Sequence, residues 1–167
     1  MVEDWVVNAS PLIALGAIGR LDLLEGPDRR LIVPAAVATE VLAGPEADGG
    51  RRALAAGWIG ERPHVVVRDD VLEWGLGAGE SAVLSAVLAS TTPAVAVLDD
   101  GAARSCARAL GARVIGTLGV VLRAKVSGRI DTAAPVVRAL RDAGLYLDDE
   151  LVRRALSEIV GESLSDG

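Results

Sequence analysis

The run Ala94-Val95-Ala96-Val97-Leu98, closed at once by Asp99-Asp100, constrains this chain more than any other stretch. Five consecutive apolar residues without polar alternation suit a strand covered on both faces, the kind found in parallel sheets flanked by helices. In open sheets of that class, ligands bind outside the carboxyl ends of the strands, and the two carboxylates fall at such an end. A second apolar run, Trp5-Val6-Val7, ends in the same way on Asn8.

The remaining pattern alternates short strands with helices. Asp4–Asn8 reads as a strand, followed by a helix started by Ser10-Pro11, since Ser caps well and Pro is tolerated in a first turn. Leu31-Ile32-Val33 is a second strand, and Pro34 opens a helix carrying Val37, Glu40 and Val41 that stops at Gly44-Pro45. Arg51–Ala56 reads as helix and His64–Val67 as a third strand or edge segment. Asp69-Asp70 is expected to cap a short helix through Trp74. Further helices are expected over Glu80–Ala89, Ala102–Leu110, Leu118–Val126, Ala133–Ala143 and Asp149–Val160, with a short strand at Arg113-Val114-Ile115. Such alternation predicts an α/β domain with a mainly parallel sheet and a helical C-terminal region. At 167 residues, without a repeat or linker, one domain over 1–167 is expected.

Composition excludes several functions. Only Trp5, Trp58, Trp74 and Tyr146 are aromatic, which counts against a binder that stacks many bases on aromatic platforms; each is expected in the core or at its boundary. Cys106 is the single cysteine and His64 the single histidine, so neither an internal disulfide nor a structural zinc site is available. A Ser-His-Asp triad needs a placed histidine, and His64 lies outside any motif, expected at the surface. Cys106, among alanines on a helix, reads as a small buried hydrophobe. The start, Met1-Val2-Glu3-Asp4, lacks the basic region of a signal peptide. The uncharged stretch from Ser81 to Leu98 is interrupted by Pro93 and several hydroxyl residues, and reads as helix, turn and strand, so a cytoplasmic protein away from membranes is expected.

The net charge of -6 is unevenly spread. Residues 1–100 carry seven Arg against fifteen acids, whereas residues 101–154 carry nine Arg and Lys125 against five acids. A phosphate-bearing partner can therefore meet a basic face beside an acidic pocket. Oxygen ligands are what this chain offers a cation, and they select hard ions such as Mg²⁺ or Mn²⁺. The candidate donors are Asn8, Glu40, Glu80, Asp99 and Asp100. Glu80 opens a long apolar helix after the loop Gly75-Leu76-Gly77-Ala78-Gly79. That loop is neither G-x-G-x-x-G nor a P-loop, and a phosphate there would meet the Glu80 charge. Several carboxylates gathered without a cation repel one another; a divalent ion removes the repulsion and can activate water for attack on a phosphodiester.

These residues resemble a known family. Val7-Asn8-Ala9-Ser10-Pro11-Leu12-Ile13-Ala14-Leu15, then Glu40, then Gly79-Glu80-Ser81, then Leu98-Asp99-Asp100 with Ala103-Arg104, is similar to the PIN domain. More closely, it resembles the prokaryotic VapC-like ribonuclease toxin subgroup whose first motif reads Asn-x-Ser-Pro-Leu-Ile. Gly116-Thr117-Leu118-Gly119-Val120, followed by Ala124-Lys125 and Gly128, resembles the C-terminal signature of that subgroup.

The resemblance implies a three-layer α/β/α fold and an endoribonuclease using Mg²⁺ or Mn²⁺. It further implies a toxin with a cognate antitoxin, and a possible homodimer. Its catalytic and metal-binding set becomes Asn8, Glu40, Glu80, Asp99 and Asp100. Asn8 stands where most PIN domains carry Asp, and an amide oxygen ligates without bringing charge. Asp100 matches the last metal-site Asp, while Asp99 is either a second ligand or orients Asp100. Ser10, Arg104 and Arg108 are the expected substrate-binding residues. Ser10 would hydrogen-bond near the site; the two arginines would contact phosphate or pair with neighbouring acids. A catalytically weak PIN-like binding domain, having lost turnover with the first Asp, is the rival from another class.

Overall fold

A computed structural model describes residues 2–164. Four parallel strands form one sheet in the order β2-β1-β3-β4: β1 is Glu3–Val7, β2 Arg29–Ile32, β3 Ala94–Val97 and β4 Val114–Ile115. Val6 stands opposite Ile32 on one side of β1 and opposite Ala96 on the other. The chain leaves β1 for the β2 side and later returns to the β3 side. The order therefore reverses between β1 and β3, which opens a crevice beyond their carboxyl ends. The two central strands are the two apolar runs, and Val7, Val95, Ala96 and Val97 are fully buried.

Helices cover both faces. They are α1 Ala9–Ala17, α2 Ala35–Leu42, α3 Gly49–Ala55, α4 Asp69–Leu72, α5 Ala78–Ala89, α6 Gly101–Leu110, α7 Thr117–Val126, α8 Ala134–Asp142 and α9 Asp149–Ala155. A 3₁₀ turn at Leu21–Leu24 follows α1, and a π turn at Leu156–Val160 continues α9. In a chain without Phe, the core is built from Leu, Val and Ala: Leu12 and Leu15 of α1, Val37 and Val41 of α2, Val83 and Leu84 of α5, and Val120 and Val121 of α7. No helix is long and apolar enough to cross a membrane among the described residues.

The expected α/β class with a parallel sheet and helical C-terminal region is what the structure contains. Three local expectations need correction. Residues 60–68 form no strand: Val33 and Ala35 donate backbone bonds to Glu61 and Pro63, but Val66 is 91% exposed and no ladder develops. Pro63 lacks a backbone donor, which stops pairing from extending. Ser10 does not cap α1; Asn8 is the cap residue, in an extended conformation with no side-chain cap bond, and Ser10 lies inside the first turn. Tyr146 and Trp74 are not core residues, being 86% and 41% exposed, whereas Trp5 is buried beneath the Arg29 guanidinium, 3.7 Å from its ring centre. His64 is exposed and Cys106 buried, as their contexts led us to expect. Burial also pushes the Cys106 thiol pKa up.

Candidate functional site

Asn8 is the first residue beyond β1, and its backbone N–H donates to Val97 of β3 at 2.9 Å. This bond holds the Asn8 side chain at the point where the strand order reverses. The residue is 3% exposed. Its Nδ2 donates to Glu80 Oε1 over a long 3.5 Å, while its Oδ1 has no hydrogen-bond partner. It is the one buried side-chain polar atom without a partner among the described residues. An unmade buried bond of this kind costs about 1–3 kcal/mol, so the atom calls for a ligand or water.

What surrounds that oxygen is acidic. A Cβ placed on Gly79 would lie 3.1 Å from Asn8 Oδ1 and 3.0 Å from Glu40 Oε2. Asn8, Glu40 and Glu80 therefore converge over the first turn of α5. Glycine at 79 leaves the space between them open. Glu40 reaches this point from α2, which packs on α5 through Val37, and Glu80 enters from the first turn of α5 itself. Carboxylates are favoured there by the partial positive charge of a helix N-terminus. Glu40 is exposed and Glu80 half-buried, so the cluster is open to solvent. One amide oxygen and two carboxylates form a donor set of the type hard divalent cations take.

Asp99 belongs to a different arrangement. Its Oδ2 accepts from Ser10 Oγ at 2.8 Å and from Thr117 Oγ1 at 2.7 Å, and its Oδ1 accepts from the Thr117 backbone N–H at 2.7 Å. One carboxylate thus ties the start of α1, the end of β3 and the start of α7. It also satisfies a helix N–H that would otherwise lack a partner. Gly116 makes the close approach possible, since a Cβ there would stand 3.0 Å from Asp99 Oδ1 and 2.6 Å from Arg104 Nη1. Asp100 is exposed and caps α6, with Oδ2 accepting from Ala103 N at 2.8 Å. Asp99 and Asp100 follow β3 together, yet their side chains serve different helices.

The expected donors are thus brought to one edge of the sheet in separate groups. Among the described residues, no three His, Cys, Asp or Glu side chains stand close enough to hold a metal ion between them. The tight group is Asn8 with Glu40 and Glu80. Arg104 is half-buried, faces the Asp99 side and forms no ion pair among the described residues. Arg108 is exposed and reaches only Ser105 Oγ at 3.5 Å.

Thr117 escaped notice as a site residue although it is fully buried and supplies two of the three bonds to Asp99. Its position just after β4 was the available signal, because it occupies the same carboxyl edge as Asn8 and Asp99.

A parallel α/β sheet with oxygen donors gathered at its reversal point places this candidate site where open sheets of the class bind their ligands. A family model described as a PIN domain matches residues 4–161, so the chain belongs to the PIN domain family. PIN domains are generally nucleases and typically use divalent metals. No curated protein matches the chain.

Proposed function

We propose that this protein is a metal-dependent endoribonuclease that hydrolyses RNA phosphodiester bonds, the toxin of a toxin–antitoxin pair in the VapC-like subgroup. The observation that carries this reading is the unpartnered Asn8 Oδ1, buried beside Glu40 and Glu80 at the reversal point of the sheet. Asn8, Glu40 and Glu80 are the residues that would hold Mg²⁺ or Mn²⁺; the family resemblance adds Asp100, which caps α6 apart from them. When bound, such an ion supplies water activation and stabilises charge on the leaving oxygen.

The chain's own residues do the rest. Glu40 and Glu80 bring negative charge to a crevice walled by β1, α2 and α5. Asn8 adds a neutral oxygen, so the cation is held less tightly than by an aspartate. Asp99 keeps α1 and α7 in place through Ser10 and Thr117, acting as a positioning residue. Arg104 and Arg108 offer phosphate contacts at the α6 side, turning the substrate backbone toward the acids. In-line hydrolysis would leave a 5′-phosphate. RNA, a cognate antitoxin and a second copy of the chain are the partners this reading requires or allows.

The test is incubation of purified protein with structured and unstructured RNA in Mg²⁺, Mn²⁺ or chelator. Cleavage should need the metal and disappear in Glu80→Gln and Asp100→Asn. Cleavage that survives both substitutions would assign the activity to a contaminant and end the proposal. A second reading, a binding domain without turnover, is favoured by the neutral Asn8 and by the separation of Asp99 and Asp100 from the Glu40–Glu80 pair. It expects RNA or protein binding with no cleavage at any Mn²⁺ concentration.

A further inference from the structure

A cleft of about 510 Å³ opens beside Asp99 and Arg104 and runs between α7 and the segment leading into α9. Its walls are apolar, with Ile115 and Leu118 on one side and Leu147 and Leu151 on the other. Tyr146 stands on this wall with its residue 86% exposed, in a chain that has only four aromatics. An exposed ring beside apolar walls offers a flat face against which a ligand can lose contact with water.

The segment presenting Tyr146 is fixed. Arg141 Nη2 donates to the Leu147 carbonyl at 2.8 Å, and Asp148 caps α9 by accepting from Leu151 N at 2.9 Å. The cleft is also polarised. Asp148 lines its α9 side and Arg104, without an ion pair among the described residues, lines its α6 side. A phosphate is repelled from the first; on the second, Asp99 also lines the cleft, but its oxygens accept from Ser10 and Thr117, which leaves the Arg104 donors for an anion. The Arg104 side is also the side that adjoins the Asp99 anchor of the candidate active site.

We propose that this cleft binds one unstacked nucleobase of single-stranded RNA, its face against Tyr146 and its phosphate toward Arg104. The inference rests on the ribonuclease reading for its choice of RNA, and it adds a subsite that sets which nucleotide lies next to the cleaved bond. Apolar walls alone would equally suit a peptide or a second copy of the chain. The free arginine at one end and the adjoining oxygen-lined crevice favour a ligand with a flat apolar face and an attached anion. A base contributes stacking whatever its identity, with about 1–3 kcal/mol for each base placed on an aromatic ring.

The experiment is fluorescence anisotropy with a labelled eight-nucleotide single-stranded RNA in chelator, compared with the same backbone made fully abasic. Tyr146→Ala should weaken binding of the ordinary strand about 5- to 150-fold, the equivalent of one stacked base, and leave the abasic strand unchanged. Tyr146→Phe should bind like the parent, and Arg104→Ala should weaken both strands. The same variants are then assayed for cleavage with Mn²⁺. Tyr146-dependent binding without any cleavage supports the subsite and removes the nuclease reading. Cleavage with Tyr146→Ala unaltered in binding and KM removes the subsite and leaves the nuclease reading standing. Absence of RNA binding, or a dimer by sedimentation that Tyr146→Ala dissociates, overturns the subsite in favour of a protein occupant.

Discussion

The Ser10 hydroxyl donates to Asp99 Oδ2 at 2.8 Å, joining the first turn of α1 to the end of β3 across 89 residues of sequence. With the two Thr117 bonds, that contact makes the carboxylate a joint between the end of β3 and the starts of α1 and α7. Asp99→Ala leaves a fully buried Thr117 hydroxyl and a helix N–H without an acceptor. We expect a loss of about 3 kcal/mol in urea unfolding, with Ser10→Ala costing about 1 kcal/mol. A loss below about 0.5 kcal/mol for Asp99→Ala would show that the joint is not formed.

Asn8→Asp changes an uncharged ligand into a third carboxylate beside Glu40 and Glu80. Without metal, mutual repulsion should lower the melting temperature. With Mn²⁺ the order should reverse, and calorimetric titration should show tighter binding than in the parent. Equal affinity in the two proteins would place residue 8 away from the cation.

Gly79→Ala separates ligand binding from folding. Alanine is the better helix former by about 0.8–1.0 kcal/mol, so α5 gains locally, but its methyl would sit between Asn8 Oδ1 and Glu40 Oε2. The expected outcome is a fold of near-parental stability with sharply reduced Mn²⁺ affinity. Retained affinity at unchanged stability would remove the Gly79 space from the site.

At the far end of the sheet, Asp4 is buried and accepts two bonds of 2.9 Å from Arg30 and one of 3.1 Å from Thr92. The Arg30 hydrogen bonds hold its pKa below the ordinary carboxylate value against burial, which pushes it up. A carboxyl with a depressed folded pKa stabilises the fold above its unfolded pKa of about 3.9 and loses that contribution as pH falls through the folded value. Asp4→Asn should therefore be less stable than the parent from pH 5 to 8, with the gap closing below about pH 4. A gap independent of pH would show that packing, and not charge, is what the substitution removes.

The site was partly legible in one dimension. Asn8 and Asp99-Asp100 announce themselves because an apolar run ending on a polar residue marks a strand end, and strand ends share an edge in a parallel sheet. Glu40 and Glu80 carry no such local mark, since an acid on a helix usually faces water. Their convergence depends on α2 packing against α5 over Gly79, a contact between residues far apart in the chain.

Local periodicity and turn chemistry set the elements of this protein: two unbroken apolar strands, helices begun by proline or aspartate, and acids waiting at the strand ends. Tertiary structure decided which acid does what. Asp99 became an anchor because two hydroxyls and a helix N–H converge on it, Asp100 a helix cap, and Asn8 the bearer of a buried oxygen without a partner. The reason is physical: propensity acts through neighbours along the chain, whereas the partner of a side-chain oxygen is chosen by which distant backbone folding brings within three ångströms.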